Sequence, residues 1–148
     1  MKKHLLIISC SESKNPNPGM LHAMERYTGA WYGVINKLKK ERKFPDNLDI
    51  LIISAKYGLI NSDKNIENYD WKMDESRARE LRDSVISKLK NILSKSKYES
   101  ILINLGSTYM EALYGFEKII PDTTKISILK GTIGPRKRDL RSWILSIK

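Results

Sequence analysis

Leu5-Leu6-Ile7-Ile8, running into Ser9-Cys10-Ser11, is the stretch that decides the fold. Four consecutive aliphatic residues with no polar residue among them do not suit a strand with one wet face. They read as a strand covered on both sides, the situation of a parallel sheet in an α/β protein. Ile50-Leu51-Ile52-Ile53 repeats the pattern, and Ile101-Leu102-Ile103 is a third run. Ile126-Ser127-Ile128-Leu129 alternates more and is expected nearer a sheet edge.

Helical periodicity fills the intervals. Ala78, Leu81, Val85, Leu89 and Ile92 recur every three or four residues and predict a helix over 74–96, with Asp74 as its N-cap. A helix over 28–42 is expected to turn Trp31, Ile35 and Leu38 inward and to end before Pro45. Gly106-Ser107-Thr108 opens a third helix carrying Tyr109, Met110 and Leu113. Pro135 suits the first turn of a last one, with Leu140, Trp143, Ile144 and Ile147 as its buried stripe. The alternation of strand and helix predicts a layered α/β fold. A mainly parallel central sheet is flanked by helices in one domain over residues 1–148.

Composition narrows the function. The 148 residues are 41% hydrophobic and 30% charged, which suits a globular chain rather than a disordered one. No apolar run approaches membrane-spanning length, and the positively charged start leads into a buried strand rather than a cleavable signal, so a cytoplasmic protein with no membrane partner is expected. One cysteine makes no internal disulfide, and with two histidines it makes no structural zinc set; neither metal nor cofactor is expected. Lys+Arg number 27 against 17 Asp+Glu, a formal charge of +10 spread along the chain rather than gathered in a tail. Such a domain favours polyanionic partners, nucleic acid above all, although a lysine-rich surface also arises from genome composition.

In an open α/β sheet, ligands bind beyond the carboxyl ends of the strands, and the polar motifs of this chain fall there. They are Cys10-Ser11-Glu12-Ser13-Lys14, Ser54-Ala55-Lys56-Tyr57-Gly58, Asn104-Leu105-Gly106-Ser107-Thr108-Tyr109 and Lys130 to Arg138. Gly106-Ser107 reads equally as a phosphate cradle and as a plain helix cap. Neither GxxxxGK[ST] nor GxGxxG is present, which disfavours ATP and NAD chemistry. Lys130, Arg136, Lys137 and Arg138 gather cations where a helix dipole disfavours them, so as a group they are candidate phosphate contacts; singly, each also fits a solvated face. Cys10 reads as a small buried cysteine rather than a nucleophile, because His4 starts the same strand and belongs at its other end.

Ser54-Ala55-Lys56-Tyr57-Gly58-Leu59-Ile60 followed by Tyr69-Asp70-Trp71-Lys72-Met73 resembles the signature of the YaaA peroxide-stress proteins. There a serine, Tyr-Gly-Leu and a later Tyr-x-x-x-Met occur in the same order. The sequence departs from that pattern at Asp70 and Lys72, where an arginine and a glutamate are expected. Cys10-Ser11-x-x-Lys14 and Tyr27-Thr28-Gly29 resemble small uncharacterised relatives of the group, over most of the chain. Similar domains accompany archaeal tRNA-guanine transglycosylase-type enzymes, whose accessory domain resembles the uracil-DNA glycosylase fold. The resemblance implies an α/β domain, Rossmann-like or uracil-DNA-glycosylase-like, acting near nucleic acid.

Three functions are compatible with these residues. The first is an N-glycosidase or base-exchange enzyme on nucleic acid, for instance a DNA glycosylase removing a modified base. It needs a carboxylate beside the sugar, aromatic surfaces for the base and cations for flanking phosphates. Glu12 and Asp70 are the candidate catalytic carboxylates. Ser11, Lys14, Tyr27, Ser54, Lys56, Tyr57, Tyr69, Trp71, Asn104, Gly106, Ser107 and Tyr109 are the candidate substrate contacts. The second is a non-catalytic DNA- or RNA-binding stress-response module. The third is a small-nucleotide hydrolase or transferase.

Overall fold

The computed structural model describes residues 2–148, and the four apolar runs lie side by side in it. Strand β1 (Lys3–Ser9) contains the first run and sits in the middle of the sheet. Leu5, Leu6, Ile7 and Ile8 are all fully buried, as a run without polar interruptions demands. A two-residue strand β2 (Leu21–His22) and a single helical turn α1 (Ala23–Arg26) follow, then helix α2 (Ala30–Lys40). Strand β3 (Leu48–Ser54) carries the second run and pairs parallel with β1, Ile8 beside Ile52.

The chain then turns back immediately. Strand β4 (Gly58–Asn61) pairs antiparallel with β3, Ser54 opposite Gly58. Gly58-Leu59-Ile60, expected in a loop past the strand end, is therefore an edge strand. Its signal is the short three-residue turn closed by Gly58, whose φ of +74° is left-handed backbone that glycine adopts without strain. Strand β5 (Asn65–Ile66) pairs with β2 to form a small separate ribbon.

Helix α3 (Glu75–Lys95) follows with Asp74 as N-cap, its side chain accepting a 2.7 Å bond from the Arg77 amide. Strand β6 (Tyr98–Asn104) lies parallel to β1 on the side away from β3. The helix opened by Gly106-Ser107 is only one turn, α4 (Ser107–Met110), continued by 3-10 turns at Glu111–Leu113 and Phe116–Ile119. Strand β7 (Lys125–Ile128) is a largely exposed parallel edge, and helix α5 (Ile133–Ser146) ends the order. Leu140 and Ile144 of α5 are buried. In α2 the inward aromatic is Tyr32, not Trp31, because its hydroxyl reaches the Ser9 carbonyl at 2.8 Å.

The sheet order is β4-β3-β1-β6-β7, so the protein is an α/β domain with a mixed, mostly parallel sheet. The chain steps from β1 outward to β3, then crosses back over to β6. Right-handed crossovers in opposite directions put helices on opposite faces. Accordingly α2 packs on α5, while α3 packs on β4 and the Glu111–Leu113 turn. The reversal of direction leaves a crevice between the carboxyl ends of β1 and β6, the position where open α/β sheets bind ligands.

The loop leaving β1 is held from beneath by Arg26. Its guanidinium is fully buried with no carboxylate among the described residues. It donates from Nη1 and Nη2 to the carbonyls of Asn15, Asn17, Gly19 and Ile66, its Nε alone finding no protein partner there. Four carbonyl dipoles replace the water that the cation has lost. Arg26→Met keeps the length and removes these bonds, so urea denaturation should show a loss of about 3 kcal/mol or more. Amide exchange over residues 15–19 should quicken at the same time. Parental stability and parental protection would show that the loop is held by something else.

Candidate functional site

The crevice at the β1–β6 reversal is a cleft of about 500 Å³. The β1 loop supplies Cys10, Ser11, Glu12 and Lys14; the segment before α3 supplies Asp70, Trp71, Lys72 and Met73; α4 supplies Thr108 and Tyr109. Both candidate carboxylates, Ser11, Lys14 and two candidate aromatics thus come together from three regions of the chain. Cys10, Lys72, Met73 and Thr108 also line it and were not among the expected contacts. Cys10, Lys72 and Thr108 each adjoin an expected residue, and Met73 lies two residues from Trp71, so these motifs extend further than expected.

The carboxylates differ in their surroundings. Glu12 is exposed and accepts an ion pair from Lys72 at 3.3 Å, while the Lys14 ammonium bonds the Glu12 carbonyl at 3.2 Å. Among the described residues Asp70 has no ion-pair partner. Trp71 is partly exposed and carries the Arg77 guanidinium 3.9 Å from its ring centre; Arg77 itself bonds the Ala55 and Lys56 carbonyls. This ties the Asp70 segment to the β3–β4 turn.

Behind the cleft lies a ring of three hydroxyls. Ser54, fully buried, accepts from the Lys56 and Tyr57 amides and from the Tyr27 hydroxyl at 3.1 Å. Its own proton then goes to the Tyr69 oxygen at 2.9 Å, and Tyr69 donates to Tyr27 at 2.6 Å. Each member donates once within the ring. The Lys14 ammonium sits 4.6 Å above the Tyr69 ring centre and closes the near side. Ser54, Tyr27 and Tyr69 are consequently a support beneath the cleft and not part of its lining.

Other expected contacts also lie elsewhere. Lys56 is ion-paired with Glu67, and Tyr57 lines a groove between β4 and α3. Asn104 is fully buried, and Gly106 rather than Ser107 is the cap of α4. The cationic group divides. Arg136 turns inward, its Nε and Nη2 both donating to the Asn104 Oδ1 at 2.9 and 2.7 Å, with Trp31 4.7 Å below. That fixes the Asn104 amide with its Nδ2 buried and unbonded by protein. Lys137 and Arg138 stay outside, and Lys130 is exposed beyond β7.

Burial governs the tyrosines. It pushes the Tyr27 hydroxyl up to about 12. Burial, reinforced by the neighbouring Cys10, raises Tyr69 and Tyr109 further, and the Tyr109 hydroxyl lies 3.2 Å from the Cys10 sulfur. The cleft therefore presents a neutral phenol on a wall that also carries lysines. Among the described residues no three His, Cys, Asp or Glu gather as a metal site, and no helix is long and apolar enough to cross a membrane.

Residues 5–142 match the family of unknown function DUF6884. The chain belongs to that family. No curated protein matches the sequence. Among solved structures the chain is similar to AF0587, described as a protein of unknown function. The TM-score is 0.57 at 11% identity, with 99% of this DUF6884 chain and 46% of that chain covered. The chain thus spans less than half the length of AF0587, and the likeness is one of fold.

Tyr27, Tyr32, Tyr69, Tyr98 and Tyr109 are all raised above the ordinary phenol value, chiefly by burial. Above pH of about 10 the unfolded chain releases protons that the folded chain keeps, so stability present below that pH is lost as pH rises. For Tyr27 the loss is at most ~1.4 kcal/mol per pH unit and ends near pH 12. Absorbance at 295 nm should show these five phenols unionised in the folded protein at pH 10.5, appearing only on unfolding. Titration of all seven tyrosines near pH 10 with the fold intact would contradict the buried ring.

Proposed function

We propose that this DUF6884 protein is an N-glycosidase or base-exchange enzyme acting on a nucleotide unit of DNA or RNA, with the β1–β6 cleft as its active site. The observation that carries the reading is the meeting of Asp70 and Glu12 in one cleft with Lys14, Trp71 and Tyr109. Cleavage of a glycosidic bond builds positive charge on the sugar, which a nearby carboxylate stabilises. Asp70 is the better placed of the two, because among the described residues no cation pairs with it, whereas Glu12 is shared with Lys72. Glu12 and Lys72 then position the β1 loop over the sugar. The exposed Trp71 and the neutral Tyr109 phenol offer a stacking face and a hydrogen-bond donor to the base. Removal of a modified base from DNA is the special case that the resemblance to glycosylase-like accessory domains favours. A cytoplasmic location fits this role.

The exposure of Glu12 and its pairing with Lys72 favour a second reading, a non-catalytic nucleic-acid-binding module. The two readings separate on turnover. The protein is incubated with genomic DNA and with total tRNA, and released bases are followed by mass spectrometry. Asp70→Asn should lower base release by about a hundredfold or more while oligonucleotide affinity stays within about twofold; Glu12→Gln should cost less. Release of no base by the parental protein, or release at the parental rate by both variants, would overturn the enzyme reading in favour of the binding module.

A further inference from the structure

Helices α2 and α5 enclose a second groove of about 560 Å³, on the sheet face opposite α3. Its floor is narrow and nearly bare: Ala30, Gly33 and Val34 on successive turns of α2, with nothing within 4 Å of where a Gly33 side chain would begin. Its walls are cationic. Lys37 comes from α2, and Lys137, Arg138 and Arg141 come from α5. Arg141 is neutralised by Glu41 at 3.1 Å. Among the described residues Lys37, Lys137 and Arg138 have no carboxylate partner, and no acid lines the groove. Three cations without an ion-pair partner, facing one channel, raise each other's electrostatic energy and are relieved by an external polyanion.

The groove adjoins the cleft. Thr28 and Gly29 form its end, and Ser11 and Ser13 stand directly behind them. A side chain at Gly29 would begin 2.7 Å from the Ser11 Cβ, and the Thr28 hydroxyl bonds that of Ser13 at 2.8 Å. Ser11 in turn lines the cleft, so the wall between the two depressions has Gly29 on one side and Ser11 on the other.

We propose that the α2–α5 groove holds the phosphodiester backbone of a single nucleic-acid strand, flanking the nucleotide that enters the cleft. Lys37, Lys137 and Arg138 are its phosphate contacts. The inference rests on the reading of the cleft as a nucleic-acid site and adds the path by which the strand leaves it. Single-stranded nucleic acid suits the channel because the contacts are charges without base-reading side chains around a glycine floor.

The test uses fluorescein-labelled 20-nucleotide single strands of DNA and of RNA, with anisotropy read across a range of salt. The triple variant Lys37→Gln, Lys137→Gln, Arg138→Gln should bind about tenfold more weakly at low salt. Its slope of log affinity against log salt should be shallower by about 2, at ~0.7 per phosphate contact. A charge-matched control, Lys88→Gln, Lys90→Gln, Lys95→Gln on α3, should stay near the parental slope. An unchanged slope in the groove variant, or an equal change in the α3 control, would overturn the groove. The cleft reading fails separately. Groove-dependent binding with no base release leaves the groove standing and removes the enzyme; base release by the groove variant at parental KM and parental slope does the reverse.

Discussion

Everything in this molecule depends on the complete burial of Leu5–Ile8 in β1. A strand of four aliphatic residues fully removed from water needs a neighbour on each edge and a layer on each face. The chain meets that need by laying β3 on one edge, crossing back to lay β6 on the other, and covering the two faces with α2 and α5 on one side and α3 on the other. The same crossing divides the loops at the carboxyl ends of β1 and β6. The cleft is therefore a consequence of the core: the residues that must be dry put Ser11, Glu12 and Lys14 opposite Thr108 and Tyr109.

A crevice between loops is of use only if the loops hold still. Two polar devices do this from below. Arg26 gathers the Asn15–Gly19 carbonyls around one buried cation, and the Ser54–Tyr27–Tyr69 ring locks the β3–β4 turn to the segment leading into Asp70. Arg77 adds a second tie, stacking on Trp71 while bonding the same turn. A closed ring of neutral hydroxyls suits this position better than an ion pair, since it satisfies every proton without placing a charge under a site that already carries lysines.

The apolar runs and helical stripes made β1, β3, β6 and β7 legible as neighbouring, mainly parallel strands. Burial on two faces leaves no room for polar residues in the first three, and the alternation of the last marked its edge position. The Asp74 cap was legible for a similar reason: Asp before an acidic first turn has few other uses. Strand β4 was not, since Gly58-Leu59-Ile60 is too short to show a period and its glycine reads as a loop. Of the cleft lining, position past the strand ends pointed to Ser11, Glu12, Lys14 and Tyr109. It could not separate residues that line the cleft from those that hold it up. Tyr27, Ser54 and Tyr69 carry the same hydroxyls either way, and only their mutual distances reveal the ring. Arg136 was misplaced for the same reason. Its neighbours in sequence are surface cations, while its partners, Asn104 and Trp31, are remote in the chain.

The proposed role of the β1–β6 crevice is tested most directly by backbone amide shifts during titration with a short single-stranded oligonucleotide. Shifts concentrated in residues 10–14, 70–73 and 108–109, extending through Thr28 and Gly29 into the first turns of α2 and α5, are the expected result. Shifts confined to β4 and the exposed face of α3, or no saturable shifts at all, would contradict it.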